Sequence, residues 1–393
     1  MNDPIVIVSA MRTPMGGFQG ALAALTAPEL GAAAIKAAVA SAGISAEDVQ
    51  EVFMGNVLPA GLGQAPARQA GLGAGLPLST GCTTISKVCG SGMKATMLAH
   101  DLLLAGTNDV MVAGGMESMS NAPYLLPKAR TGMRLGHAQA LDHMFLDGLE
   151  DAYDKGRLMG TFAEDCADKF GFTREQQDAF AITSLRRAQQ AIQTGLFKAE
   201  IAAVTAQSRQ GEVVVDSDEQ PFNANIEKIP NMRAAFRKDG TVTAANSSSI
   251  SDGAAALVLM RRSEADKRGL KPRAVILGHS THAQKPSWFT TAPVAAMSKL
   301  LERLKWSSDD VDLYEINEAF AVVTMAAMHS LKLPHEKVNV HGGACALGHP
   351  IGASGARILV TLISALEQRG AKRGIASLCI GGGEATAMAV EIL

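Results

Sequence analysis

Three glycine-flanked stretches carry residues able to move protons or acyl groups. In SKVCGSGMKA, Cys89 stands between the β-branched Val88 and the run Gly90-Ser91-Gly92. Such a run predicts a strand-to-helix turn, where free backbone N–H groups and the positive end of the helix dipole favour a thiolate. A cysteine at such a turn also serves as a small buried hydrophobe, so a catalytic reading needs a base elsewhere. The stretch VHGGACALGHPIGASGARI offers His341, Cys345 and His349. Their spacing of four suits metal ligation only on a helix face. Gly342, Gly343, Gly348 and Pro350 oppose that helix and no fourth ligand lies nearby, which argues against structural zinc. His349, between Gly348 and Pro350, is instead expected in a loop, its imidazole facing a pocket and ready to take a proton from a thiol. In SLCIGGGEA a strand ends at Cys379, ahead of Gly381, Gly382 and Gly383. A thiol there can exchange a proton with a substrate whose developing oxyanion the bare amides receive. Inert burial accounts for Cys379 taken alone. Two glycine-flanked cysteines and one glycine-flanked histidine together favour chemistry.

The elements that must position them alternate along the chain. PIVIVSA reads as a strand, APELGAAAIKAAVASAG as a helix and VQEVFMGNVL as a strand, the pattern of βαβ units and an α/β fold. A helix from Ser91 to about Ala105 is apolar nearly all round (Met93, Ala95, Met97, Leu98, Leu102, Leu103, Leu104) and is expected to be buried. From Ser118 to about Ala245 the pattern changes, with NAPYLLPKARTGMRLG, TREQQDAFAITSLRRAQQAI and SRQGEVVVDSDEQP. This region reads as a large insertion or lid, more loop-like than its flanks. Regular α/β pattern returns at SDGAAALVLM and continues beyond Pro272. GSGMKATMLAHDLLLAGTNDVMVAGG and GASGARILVTLISALEQRGAKRGIASLCIGGG echo one another from the glycine turn through an apolar helix to a strand ending in glycines, which suggests two duplicated α/β halves.

At 393 residues the chain exceeds one ordinary core. Its 39 glycines and 4% aromatics favour tight turns around an aliphatic interior. A net charge of −2 gives no field for nucleic acid or an anionic membrane, and the short basic cluster Lys128, Arg130 and Arg134 reads as a solvated loop. Five cysteines (Cys82, Cys89, Cys166, Cys345, Cys379), an odd number spread widely, fit a reduced cytoplasmic enzyme. The opening MNDPIVIVSA reads as a strand rather than a leader, and no apolar run reaches membrane-span length.

VCGSGMKA, NEAFA at 317–321, GGACALGHPIGASGAR and CIGGG at 379–383, in that order, resemble the four signature blocks of the thiolase family. The likeness extends from SAMRTPMGGFQGAL through NVLPAGLGQAPARQA and GGMESMSNAPY to the terminus. It implies a duplicated five-layered αβαβα core with an inserted loop domain, divided as 1–118 plus 250–271, 119–249 and 272–393. It also implies that Cys89 takes an acyl group, that His349 deprotonates it and, with a water placed by Asn317, binds the thioester oxygen, and that Cys379 removes the α-proton of a second acetyl-CoA. Amides of Cys89 and Gly381 form the implied oxyanion hole. Implied substrate and CoA contacts fall on Ser248 in TAANSSSISDGAAA, Leu149 in DGLEDAY, Met159, Phe289, and Ala319 and Phe320 of NEAFA.

The implied activity is condensation of two acetyl-CoA to acetoacetyl-CoA and CoA, or the reverse thiolysis, with coenzyme A as substrate and product, no permanently bound cofactor and no metal. A broad-range degradative 3-ketoacyl-CoA thiolase is the alternative. A synthase of the same fold lacks a cysteine like Cys379, and a non-catalytic acyl-CoA carrier would be expected to lose a catalytic residue. Implied partners are acyl-CoA molecules and further copies of the chain, as dimer or tetramer with the 128–134 loop at the tetramer contact. Departures from the family pattern are Leu158, Phe222, Trp288 with Phe289, and Glu384, all of which bear on substrate and affinity.

Overall fold

The first helix follows directly from local signals. Thr26 caps it, its side chain accepting from the Glu29 N–H while the Glu29 carboxylate accepts from the Thr26 N–H at 2.7 Å; Pro28 sits in the first turn and Gly43, at φ 69°, ends it. The computed structural model describes residues 3–208 and 211–393. Its main elements are β1 (Ile5–Arg12), α1 (Ala27–Ala42), β2 (Glu51–Gly55), α2 (Pro66–Gly73), β3 (Gly81–Ile85), α3 (Ser91–Leu104), β4 (Val110–Ser118), α4 (Met159–Phe170), α5 (Arg174–Gln193), β5 (Val204–Ser208), β6 (Gly211–Val215), β7 (Ser251–Arg261), β8 (Ala274–Ala283), α6 (Ala292–Leu304), β9 (Leu313–Ile316), α7 (Ala321–Leu331), α8 (Ser354–Arg369), β10 (Arg373–Ile380) and β11 (Glu384–Ile392).

The echo in the sequence is a repeat of topology. In the first half β7 pairs antiparallel with β1 and β4, β4 runs parallel to β2, and β2 to β3. In the second half β11 pairs antiparallel with β8 and β10, β10 runs parallel to β9, and Tyr314 of β9 bridges in parallel to Val338. The halves meet at β1 and β8 through only Val6↔Val275 and Ile7↔Ala274. Apolar packing makes the layers. α1 and α2 cover one face of the first sheet, α6 and α7 one face of the second, and α3 and α8 fill the space between them. That middle position is why α3 and α8 are apolar all round: Met93, Ala95, Ala99 and Leu103 of α3 and Ile358, Leu359, Leu362 and Ile363 of α8 are fully buried. Only the far ends emerge, α3 at Asp101 and Leu104 and α8 from Glu367 on.

β4 ends at Ser118 and its antiparallel partner β7 starts at Ser251, with Asp252 opposite Ser118. Everything between is one excursion from the sheet. It is less loop-like than its composition suggested, because the 20-residue α5, opened by a Thr173–Gln176 capping box, and α4 pack against the core. β5, which ends on the first residue of SRQGEVVVDSDEQP, pairs antiparallel with β6 inside it; Arg209 and Gln210 lie outside the described residues. The excursion is tied to β1 by fully buried Arg12, whose guanidinium bonds Glu200 at 2.6 Å and both oxygens of Asp218 at 2.7 and 2.9 Å. Pairing offsets the cost of burying these charges. Among the described residues no helix is long and apolar enough to cross a membrane.

Candidate active site

Cys89 occupies the turn between β3 and α3, one residue before the helix cap Gly90. The turn is locked by Ser91, whose hydroxyl accepts from the Lys87 N–H at 2.8 Å and donates to the Val88 carbonyl at 2.6 Å. It also holds Val88 at φ +45°, a left-handed conformation that costs a β-branched residue of order 1–3 kcal/mol. The strain sits next to the nucleophile candidate.

α8 delivers His349 in the same way. The imidazole Nδ1 lies 2.5 Å from Ser354 Oγ, and that hydroxyl donates to the Pro350 carbonyl at 3.0 Å. Ser354 therefore accepts at Nδ1–H, which leaves Nε2 unprotonated and an acceptor. Nε2 lies 3.4 Å from Asn317 Nδ2. Burial, and then the Arg357 charge, pull His349 down to about 3, so the ring is neutral at neutral pH and able to receive a proton. Gly348, at φ 102°, passes so close to Ser251 that a Cβ would lie 2.1 Å from its hydroxyl. His349 N–H donates to the Ser249 carbonyl at 3.2 Å and lies 3.3 Å from Ser251 Oγ. Asn317 follows β9, its N–H bonded to the Ser377 carbonyl of β10 at 3.0 Å. Its side-chain Oδ1 is buried and, among the described residues, has no hydrogen-bond partner, which suits the positioning of a water.

Cys379 is the penultimate residue of β10, which runs one residue further than the sequence reading to Ile380, and Gly381 follows the strand's end. Burial pushes the Cys89 thiol up to about 11, while hydrogen bonds from the backbone of Gly381 and of Cys89 itself pull the other way. Burial, and then the neighbouring Cys89, raise the Cys379 thiol well above the usual range. Both groups are therefore thiols at rest and each needs a partner to ionise.

Cys89, His349, Cys379 and Gly381 face one cavity of about 370 Å³, together with Ser248, Leu149, Met159, Phe289, Ala319 and Phe320. Every candidate site residue but Asn317 lines it, and Asn317 touches it through His349. Leu149 belongs to a π-helical turn, Phe145–Leu149, a rare local form often found at working sites. Ser248 is brought to Ala319 by a backbone bond of 3.0 Å. Leu158 lines the cavity, but Phe222 stands half exposed on a separate turn and Trp288 lies under the Lys169 ammonium at 4.3 Å. Glu384 forms an ion pair with Lys87, which ties the glycine turn after β10 to the Cys89 turn. His341 and Cys345 lie apart from this centre. The His341 ring packs edge-on against Phe197, Cys345 Sγ is 3.7 Å from the Glu318 carbonyl, and only one helical turn, Ala344–Leu347, forms there.

Sequence reasoning missed several residues. Phe236 packs edge-on against Phe320 and over Gly160, where a Cβ would meet its ring at 2.4 Å. Ile351, next but one to His349, is a further wall of the cavity. Glu117 is fully buried and collects four donors: Asn56 Nδ2 at 2.7 Å, Leu58 N at 3.1 Å, Val57 N at 3.0 Å and Gly352 N at 2.9 Å. It thereby fastens the His349 loop to the first half. A lone glutamate in GGMES carries no local signal of that role.

A neutral imidazole and two thiols around an apolar cavity are equipped for acyl transfer through sulfur, and the duplicated core that holds them defines the class of thiolase-fold proteins. Comparison with known proteins gives the family directly. Residues 5–263 match the thiolase N-terminal domain and residues 270–392 the thiolase C-terminal domain, so the chain belongs to the thiolase family. It is 50% identical over 393 residues to an acetyl-CoA acetyltransferase of Schizosaccharomyces pombe, covering 100% of this chain and 99% of that one. It is 51% identical to acetyl-CoA acetyltransferase 2 of Arabidopsis thaliana, covering 99% and 97%. Its structure is similar to that of the Bacillus anthracis acetyl-CoA acetyltransferase, with a TM-score of 0.97 at 42% identity and full coverage of both chains. The Acat5 thiolase of Ascaris suum in complex with coenzyme A gives a TM-score of 0.94 at 41% identity, covering 99% of this chain and 100% of that one.

Proposed function

We propose that this thiolase is an acetyl-CoA C-acetyltransferase that joins two acetyl-CoA into acetoacetyl-CoA and free CoA and runs the reverse thiolysis. The observation that carries the reading is the convergence of Cys89, Cys379 and a neutral His349 on one apolar cavity. Cys89 attacks the thioester carbonyl as its proton passes to His349 Nε2. The oxyanion is received by the backbone N–H groups of Cys89 and Gly381, donors worth about 3–4 kcal/mol each in such sites. The carbon–sulfur bond to CoA breaks, and the departing thiolate takes the proton of Cys379. The Cys379 thiolate then removes the α-proton of a second acetyl-CoA, whose thioester oxygen is held by His349 and an Asn317-bound water. The enolate attacks acetyl-Cys89, and the expelled Cys89 thiolate recovers its proton from His349. The order is ping-pong: CoA departs before the second acetyl-CoA enters, acetoacetyl-CoA leaves last, and every proton is returned.

The names of the similar proteins favour acetoacetyl-CoA over the broad-range alternative, a choice that kcat/KM for acetoacetyl-CoA against a longer 3-ketoacyl-CoA tests. Residues 119–249 are assigned to CoA binding, with Ser248, Leu149, Met159, Phe289, Ala319 and Phe320 around the pantetheine and acyl group. A cytoplasmic homo-oligomer, dimer or tetramer, belongs to the same reading; exposed Tyr124, Leu126, Met133 and Leu135 around the basic 128–134 loop support it, and light scattering in solution tests it. The central test is chemical. Incubation with acetyl-CoA alone and mass spectrometry of the peptides should place one acetyl group on Cys89, and Cys89→Ser should lower thiolysis by about 10³-fold or more. Acetyl elsewhere, or near wild-type thiolysis in the variant, would overturn the assignment.

A further inference from the structure

At the emergent end of α3, the end opposite the catalytic turn, three metal-ligating side chains converge. His100 Nδ1 lies 3.0 Å from Asp101 Oδ1, and His279 Nε2 of β8 lies 2.9 Å from the same oxygen. The three donor atoms are all within 4.8 Å of one another, the sole such group of three or more found among the described residues. We propose that His100, Asp101 and His279 form a binding site for a divalent transition-metal ion of the zinc, nickel or copper type, which clips the first half of the core to the second.

Several features support this. Both imidazoles aim an N–H at the same oxygen of the Asp101 carboxylate rather than sharing the pair, so an ion bound there takes the place of those two hydrogens, each ring keeping its proton on its other nitrogen. The rings stand edge to face, 87° apart with centroids 5.1 Å apart, which lets both nitrogens aim at that point without stacking. Bonds of about 2.0–2.1 Å to a tetrahedral ion need donors about 3.4 Å apart, a small side-chain adjustment from what is seen. The Asp101 side chain is 53% exposed while those of His100 and His279 are 10% and 16% exposed, so the imidazoles are held by packing and the carboxylate side remains open to water as further ligand. The nearby cation Arg303 is engaged by the His279 carbonyl at 2.7 Å. Two imidazoles and one carboxylate select such ions over calcium or magnesium, which require more oxygen ligands.

Location gives the ion a consequence. The two sheets are continuous through only two residue pairs between β1 and β8, whereas this site bonds α3 of one half directly to β8 of the other. An ion bound only in the folded state raises stability by mass action.

The test uses the intact enzyme and Zn²⁺ as the probe. Calorimetric titration should give one ion per chain, zinc should raise the melting temperature, and X-ray absorption of the loaded protein should show only nitrogen and oxygen neighbours at about 2.0–2.1 Å. His279→Gln and His100→Gln should each weaken binding at least about tenfold, with His341→Gln unchanged. Failure of the wild-type enzyme to bind, a sulfur shell at about 2.3 Å that would place the ion on the catalytic thiols, or affinities within twofold of wild type in both variants would each overturn the proposal. The absorption measurement needs no variant, so it decides the matter even where a substitution harms folding.

Discussion

Ser354 is the residue whose role is most sharply defined by geometry and least visible in the chain. It accepts from His349 Nδ1–H and donates its own O–H to the Pro350 carbonyl, so one hydroxyl chooses the tautomer that leaves Nε2 basic. Ser354→Ala removes that choice without touching substrate. Its kcat should fall by up to about 10²-fold, the lower end of what a general base contributes, with KM little changed. Steady-state kinetics with acetoacetyl-CoA and CoA checks this; a change confined to KM would mean that Ser354 shapes the cavity instead. Glu117 acts at the same scale through its four N–H donors, holding Gly352 and hence the loop that presents His349.

At the scale of elements, the two echoing glycine motifs have a packing purpose beside their chemical one. α3 and α8 cross where each begins. A Cβ on Gly92 would lie 2.8 Å from Ala356 N, and one on Gly355 would lie 2.4 Å from Met93 N and 2.8 Å from Met93 Cβ. Backbone cannot yield as a side chain does, so each helix approaches only because the other lacks a side chain there. Gly355→Ala should therefore destabilise the protein by about 1–3 kcal/mol and lower kcat as well, because the same crossing sets Cys89 against His349. Thermal unfolding with parallel assay decides it: a melting temperature equal to wild type would show that the helices can part at no cost. If the glycines served ligand approach alone, the variant would lose activity at full stability.

For the whole molecule, buried titratable groups set the response to pH. Burial holds His335 and His341 at about 4 and His349 at about 3, against about 6.5 unfolded. Each binds protons more readily when unfolded, so their contribution is present above about pH 6.5 and is lost as pH falls toward those values. Glu117 at about 7 and Glu315 at about 8, both raised by burial, act in the opposite sense: stability declines as pH rises from about 4.5 to those values. His341 is buried, with Nδ1 unpartnered among the described residues, and touches no substrate cavity. His341→Gln should make the acid limb of the stability curve shallower between pH 4 and 6.5, by at most about 1.4 kcal/mol per pH unit. Denaturant midpoints across that range measure the slope, and an unchanged limb would mean that His341 does not titrate on unfolding.

The sequence by itself determined the α/β class, the duplication and the reactive types, because periodicity, glycine turns and the Cys89, His349 and Cys379 blocks are local patterns that need no partner to be read. Among the cavity residues, Leu149, Met159, Phe289, Ala319 and Phe320 were legible only through resemblance, since an apolar side chain on a pocket wall looks like one in a core. Phe236, Ile351, Ser354 and Glu117 were not legible, and neither was the His100, Asp101 and His279 cluster. Their roles arise from contacts such as Gly352 with Glu117, 235 positions apart, or His279 with Asp101, 178 apart. Only the crossing of α3 and α8 between two sheets decides which of the chain's polar groups meet, which lose water, and therefore which thiol and which imidazole can exchange a proton.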